Sequence, residues 1–192
     1  MARPMGPRFK IARRLGVNVF NHPKALKRGV KNQKLSEYGK QLQEKQKLKG
    51  YYGILEKQFR RYVHEALNAR ENSGGILVQN LERRLDNLVY RLGFGSTLRQ
   101  ARQMVVHGHI LVNDKKIDIP SYRVNIGDSI TLREKSRKNE LFIENFQSTS
   151  LSIDYLEKDI ENFLGKLVKK PSREAVPIDV IDSRIIEFYS KN

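Results

Sequence analysis

The sequence predicts an α+β fold, mostly helical as far as His107 and mostly β-structured from there to Arg133. Three observations carry this reading. Apolar residues recur at helical spacing between Leu55 and Val105. Gly108 stands where a helix would end in a left-handed residue. Ser129-Ile130-Thr131-Leu132-Arg133 alternates in the manner of a half-buried strand. The 192 residues suffice for one or two modest domains, each with its own core.

Residues 1–34 hold Pro4, Gly6, Pro7, Gly16, Pro23 and Gly29 with little apolar periodicity. They read as a basic, extended, irregular arm that orders on its partner, with a short helical turn near Phe9–Leu15. Lys40–Lys49, dense in Gln and Lys, suits a short helix with little core. Leu55, Phe59, Tyr62, Val63, Ala66 and Leu67 then form one stripe of an amphipathic helix, with Arg60 and Arg61 off it. Asn72-Ser73-Gly74-Gly75 is expected to end that helix. A second helix puts Leu81, Leu85, Leu88 and Leu92 on one face and Arg83, Arg84 and Arg91 on others, until Gly93-Phe94-Gly95 breaks it.

Ser96 or Thr97 can cap a third helix through its side-chain oxygen. Leu98, Ala101 and Val105 point inward there, and Arg99, Arg102 and Gln103 outward. Beyond Gly108, His109–Val112 reads as a strand that turns at Asn113-Asp114-Lys115 toward Ile117-Asp118-Ile119. Helical patterning is expected around Leu141–Phe146 and Tyr155–Leu167. A short strand or loop at Val176–Val180 follows, then a small helix through Ile185, Ile186 and Phe188.

Charge is the loudest compositional signal. Lys and Arg number 37 against 21 Asp and Glu, a formal charge of +16. It is graded along the chain: residues 1–60 carry 16 basic and 3 acidic side chains, residues 61–140 carry 14 and 9, and residues 141–192 carry 7 and 9. A surface so positive repels itself unless a polyanion sits on it, and nucleic acid is the commonest such partner. The −2 C-terminal quarter suits a protein-facing surface, with Lys169, Lys170 and Arg173 as exceptions able to touch RNA. The absence of cysteine excludes disulfides, thiolate zinc sites and Cys nucleophiles. No uninterrupted apolar stretch approaches 18 residues, and the basic Met1-Ala2-Arg3-Pro4 start lacks the apolar run of a signal peptide. A soluble protein of a reducing compartment is expected.

Catalytic patterns are wanting. His107 and His109 form a His-x-His pair, but no carboxylate or thiol at ligand spacing completes a metal site. Gly93-Phe94-Gly95 lacks a preceding strand and a Gly-Lys-Ser/Thr, so it reads as a helix break, not a phosphate loop. No Gly-x-Ser-x-Gly elbow, His-Glu-x-x-His helix or Asp-rich metal loop occurs. Nucleic-acid binding fares better. Gln100, Arg102 and Gln103 mix charged donors with amides, and the turn at Gly108 would join that helix face to His109 in one surface suited to a bent RNA backbone. Tyr38, Tyr51 and Tyr52 lie among lysines, where they either stack on bases or anchor the arm to the first helix.

Two segments carry a family resemblance. Leu81-Glu82-Arg83-Arg84-Leu85-Asp86-Asn87-Leu88-Val89-Tyr90-Arg91-Leu92-Gly93-Phe94 and Arg99-Gln100-Ala101-Arg102-Gln103-Met104-Val105-Val106-His107-Gly108-His109-Ile110-Leu111-Val112-Asn113 closely resemble the signature of the small-subunit ribosomal protein S-four family. Tyr38–Lys47, Gln58–Tyr62, Ile119–Val124 and Ile186–Ser190 are similar to that family too, in the expected order. The chain differs from the many relatives that bind zinc through cysteines in the arm, so the resemblance is to the zinc-free form. Asn113-Asp114 also stands where relatives usually have Asn-Gly.

The resemblance implies a helical domain over residues 1–92, joined by the tail 177–192. A small RNA-binding domain over 93–176 would have two helices packed on a curved antiparallel sheet. It implies a structural constituent of the small ribosomal subunit in the cytoplasm that binds the 5′ domain of 16S-type rRNA early in assembly. The implied partners are that rRNA, ribosomal protein S-five and other 30S proteins, mRNA where it enters the subunit, and in many bacteria the messenger of its own operon. Translational accuracy would depend on the contact with ribosomal protein S-five. No catalytic residue, metal, cofactor or membrane contact is expected.

With the charge pattern, the resemblance puts RNA-binding residues at Arg3, Arg8, Lys10, Arg13 and Arg14 in the arm. Lys40, Gln41, Lys45, Lys47, Arg60 and Arg61 follow in the first helices. Further on come Arg83, Arg84, Arg99, Gln100, Arg102, Gln103, His107, His109 and Asn113. Two alternatives stand beside this. The same small module occurs in RNA-modifying enzymes, but only 52 residues follow residue 140, too few for their catalytic domain. A free regulatory protein acting on mRNA is the other.

Overall fold

The structure is a computed structural model that describes residues 6–31, 34–69 and 72–190. It is α+β: eight α-helices and a five-stranded antiparallel sheet among the described residues. Two compact units divide it, Met1–Val78 with Pro177–Asn192, and Gln79–Val176. No helix among the described residues is long and apolar enough to cross a membrane.

The first unit opens with α1 (Arg8–Leu15), longer and better packed than the composition of the arm suggests. Ala12, Leu15, Val19 and Ala25 are buried, and Gly16, at φ 76°, ends the helix in the left-handed conformation that glycine adopts without strain. Next comes α2 (Glu37–Tyr52), whose N-terminus is capped by Ser36 Oγ accepting from Gly39 N at 3.2 Å. It has more core than its Gln/Lys composition predicts, because Leu48 and Tyr52 are buried and Gln41, Glu44 and Lys45 are covered beside them. The expected stripe becomes α3 (Glu56–Leu67), with Phe59, Tyr62, Val63 and Ala66 inside.

The C-terminal segment completes this unit. After a strand-free stretch at Val176–Val180, α8 (Asp182–Ser190) buries Ile185 and Phe188. Gln41 donates to Glu187 Oε2 at 2.9 Å, and Ile181 N donates to Glu44 Oε2 at 3.0 Å. Glu56 gathers Lys45 at 3.2 Å, Lys49 at 2.7 Å and the Tyr189 hydroxyl at 2.5 Å. Part of the acidic C-terminal quarter therefore faces its own chain.

Asn72–Gly75 corrects the sequence reading: Ser73–Gly75 form the first turn of α4 (Ser73–Glu82) instead of ending a helix, with Asn72 Oδ1 accepting from Gly75 N at 3.1 Å. The division between the units falls within α4. The single second helix expected over residues 81–92 is also two pieces. α4 stops, and α5 (Leu85–Arg91) begins after a break at Arg83-Arg84. The break is held from elsewhere in the second unit: Leu85 N donates to Tyr122 O, Asp86 N to Pro120 O, and Val124 N to Arg83 O. Leu81, Leu85, Leu88 and Leu92 are all fully buried despite it.

The α6 helix (Leu98–Val106) is capped by Thr97 Oγ1, which accepts from Gln100 N at 3.2 Å. Of its expected inner stripe, Ala101 and Val105 are buried together with Met104. The sheet runs β2-β1-β3-β5-β4. β1 (Ile110–Val112) pairs with β2 (Lys115–Lys116), which is two residues long; Ile117–Ile119 lie outside any strand. β3 (Ser129–Leu132) pairs Ile130 with Val112 on one side and with Gly165 on the other.

After a 3₁₀ turn (Glu134–Lys138) comes α7 (Glu140–Ser148), capped by Asn139 Oδ1 accepting from Leu141 N at 3.1 Å. The helix expected at Tyr155–Leu167 is instead a hairpin, β4 (Leu156–Asp159) and β5 (Leu164–Leu167). Asp159 shapes its turn by accepting from Glu161 N and Asn162 N, and Phe163 takes φ 50°. Gly165 is required on β5, because a Cβ there would lie 2.3 Å from Leu92 Cδ1.

Candidate nucleic-acid interface

Within the second unit, one strip of surface runs from α6 through Gly108 to the β1–β2 hairpin. Arg99 and Gln103 are exposed on α6, and His107 ends it in the open. Gly108 takes φ 70°, and a Cβ there would meet Lys116 Cε at 2.3 Å. The bare glycine thus lets the Lys116 stem lie across the chain. His109 sits 6.1 Å from His107 between ring centroids, with Nδ1 2.8 Å from Ser136 Oγ and its ring edge-on to Phe142. Arg133 N donates to His109 O at 2.9 Å, which brings that cation beside the same imidazole. Burial, then His107, then Arg133 hold the His109 ring below the usual histidine range.

The hairpin tip needs two left-handed residues, Asn113 at φ 48° and Asp114 at φ 61°, the signature of the turn whose twist matches a hairpin. Asp is tolerated there because the preceding side chain fixes the turn. Asn113 Oδ1 accepts from Ser129 N at 2.9 Å, and its Nδ2 donates to Asp128 at 2.8 Å. A second positive edge lies at the α4–α5 break. Arg83 donates to Val124 O at 2.9 Å and Asn125 Oδ1 at 2.8 Å, and its pKa is lowered by burial and then by the neighbouring Arg123.

Other expected site residues are engaged inside their units. Arg84 is 2% exposed and binds Asp86, itself fully buried, through Nε at 3.0 Å and Nη2 at 2.8 Å. Arg102 turns from the outer face of α6 to the same carboxylate, at 2.8 Å from Nε. Gln100 Oε1 accepts from the Ser96 amide and hydroxyl. In the first unit, Gln41 reaches Glu187, Lys47 reaches Glu44 at 2.8 Å, and Lys40 pairs with Glu37. Lys45 lies over the Phe188 ring at 4.3 Å besides pairing with Glu56. Arg13 donates to Gly29 O at 3.1 Å, Arg8 is half-buried on α1, and Arg60 stands 3.9 Å from Glu56. Lys10, Arg14 and Arg61 are exposed. Arg3 lies outside the described residues.

The structure adds exposed cations that sequence reasoning passed over: Lys115, Lys116, Arg123 and Arg133. For Lys115-Lys116 the signal was present, since a basic pair directly after a hairpin turn falls on a short edge strand.

A small α+β module that spreads exposed cations over a helix, a glycine turn and a hairpin presents a surface of the kind that meets a polyanion such as RNA. Among the described residues no group of three or more His, Cys, Asp or Glu could hold a metal ion. The S4 domain family model matches residues 83–130, and the model described as ribosomal protein S4/S9 N-terminal domain matches residues 3–82. The chain belongs to the ribosomal protein S4 family. It is 65% identical over 192 residues to the small ribosomal subunit protein uS4B of Clostridium acetobutylicum, covering all of both chains. It is 53% identical over 199 residues to the small ribosomal subunit protein uS4 of Finegoldia magna, again covering all of both. The uS4 protein of Persephonella marina is also 53% identical, over 204 residues, with 99% of this chain and all of that one covered.

Proposed function

We propose that the chain is a structural constituent of the small ribosomal subunit that binds the subunit's rRNA by positioning cations, without catalysing a reaction. The observation that carries this reading is the strip Arg99–Gln103–His107–Lys116–Arg133, where five donor side chains from a helix, a hairpin and the end of β3 belong to one compact module. Its partner is the 5′ domain of 16S-type rRNA, met at a junction of several RNA helices early in assembly. A cation-lined strip reads the shape and 2′-hydroxyls of such a junction better than it reads sequence. In the assembled cytoplasmic subunit the protein touches ribosomal protein S-five where mRNA enters, and decoding accuracy depends on that contact. Its own operon's messenger is a further RNA of the same chemistry.

The test is a salt-dependent binding titration of the full chain against a 5′-domain rRNA fragment, with an unrelated structured RNA of equal length alongside. If about 10 phosphates are neutralised, affinity falls with a log–log salt slope of magnitude roughly 7–9. The expected result is a preference for the rRNA fragment that survives at raised salt. Equal binding to both RNAs, collapsing together, would reduce the protein to a polycation and overturn the reading.

A further inference from the structure

A groove of about 730 Å³ opens in the first unit, lined by the C-terminal end of α1, by Val30, Lys31, Lys34 and Leu35, and by the middle of α2. Its walls are fixed by hydrogen bonds. Lys31 N donates to Arg13 O at 3.1 Å, Arg13 Nε to Gly29 O at 3.1 Å, and Gln43 Nε2 to Leu15 O at 3.1 Å. Val30 lies over Gly16, where a Cβ would be in ordinary contact with Val30 Cγ1 at 3.6 Å.

The lining separates by chemistry. Arg14, Lys31 and Lys34 supply positive charge at the exposed rim. Leu15, Val30, Leu35 and Leu42 supply an apolar wall, and Gln46 offers an amide that both donates and accepts. Val30 is 44% exposed in the free protein, so its apolar surface is uncovered. No described residue lining the groove is acidic. The volume is in the range of small-molecule sites, which combine apolar walls with a few fixed polar groups. An apolar face wide enough for a base, an amide for its hydrogen-bonding edge and cations for its phosphate together describe a nucleotide.

We infer that this groove binds a single unstacked nucleotide, and, resting on the RNA-binding reading above, that the nucleotide belongs to the bound RNA. The base packs on Val30, Leu35 and Leu42 with its edge on Gln46, while the flanking phosphates meet Arg14, Lys31 and Lys34. The site gives the first unit a contact that tests for an extruded base, where surface lysines register charge alone.

The experiment uses the full chain with methyl-labelled Val and Leu. Methyl NMR signals of Val30 and Leu42 are followed during titration with the 5′-domain rRNA fragment and, separately, with a nucleoside 5′-monophosphate. Gln46→Ala and Lys34→Gln are compared with the parent for RNA affinity across salt concentrations, with circular dichroism confirming the fold. RNA is expected to shift both methyl signals. Q46A should weaken binding about ten-fold with the salt slope unchanged, because a base contact releases no counterion. K34Q should reduce the slope magnitude by about 1.

Methyl shifts produced by the mononucleotide at sub-millimolar concentration but not by RNA would make the occupant a free nucleotide and overturn the RNA assignment. Unmoved methyl signals in both titrations, with salt-resistant rRNA preference intact, would overturn the groove while leaving the proposed function standing. Loss of rRNA preference in the parent chain itself would instead fail the proposed function, and the mononucleotide titration would then decide the groove alone.

Discussion

Arg102 and Arg84 meet on one oxygen: Asp86 Oδ2 lies 2.7 Å from Arg102 Nη2 and 2.8 Å from Arg84 Nη2. Asp86 and Arg84 are buried, and only 13% of the Arg102 side chain remains exposed. Two guanidiniums on one carboxylate leave a net positive charge inside the module, tolerable because four N···O contacts of 2.7–3.0 Å join the carboxylate to them. Removing the carboxylate leaves both cations uncompensated. Asp86→Ala is therefore expected to destabilise the second unit by about 3–5 kcal/mol. Arg102→Ala leaves Arg84 in place and should cost less, about 1–3 kcal/mol. Urea unfolding followed by circular dichroism measures both, and an Asp86→Ala midpoint equal to the parent's would remove the cluster from the account of stability.

The same cluster shows where sequence reading stops. The leucines at 81, 85, 88 and 92 announced one buried stripe, and all four are buried. The break between them was illegible, since it is made by Tyr122, Pro120 and Val124, residues 30 and more positions away. A cap at Ser96 or Thr97 and the turn at Gly108 were readable because a cap and a left-handed turn are local demands of the chain on particular side chains; folding chose Thr97. The β4–β5 hairpin was not, because its strands are selected by pairing with β3 and by the space that Leu92 leaves beside Gly165. For the site, charge predicted a basic surface but not which cations would reach it. Arg84 and Lys45 look like their exposed neighbours in sequence, and only folding brings them Asp86 and Glu56.

Glu56 makes the first unit acid-sensitive. Burial alone would push its carboxyl up, but hydrogen bonds from Lys49 and Tyr189, with the charges of Lys49 and Lys45, outweigh it and hold the pKa at about 2. A carboxyl depressed in the folded state contributes stability above its unfolded pKa near 4.5, and that contribution is lost as pH falls from there toward 2. Glu56→Gln should flatten stability across this window while lowering it near neutral pH. An acid limb as steep as the parent's, measured by urea unfolding from pH 2 to pH 7, would assign the sensitivity to other carboxylates.

Gly108 serves both fold and interface. Alanine there must hold φ 70° and displace the Lys116 stem from its path. The backbone cost for a residue with a Cβ in this region is about 1–2 kcal/mol. Since Lys116 is a flexible side chain, the turn should survive while the ammonium moves. Gly108→Ala is expected to lower the melting temperature by a few degrees and to weaken rRNA binding as well. Stabilising the variant with an osmolyte restores the fold, so affinity that returns completely under those conditions would deny Lys116 a placed role.

Exposed and internally engaged cations should separate in their salt dependence. Lys116→Ala and Arg133→Ala each remove a cation from the α6–hairpin strip, so each should reduce the magnitude of the rRNA salt slope by about 1 if it meets a phosphate. Their urea midpoints should stay near the parent's, as neither is covered by the fold. Lys45→Ala should do the reverse: it takes a buried partner from Glu56 and a cation from the Phe188 face, lowering the midpoint while the slope holds. A Lys45→Ala slope that drops like that of Lys116→Ala would mean that the first unit opens on RNA and turns this lysine outward.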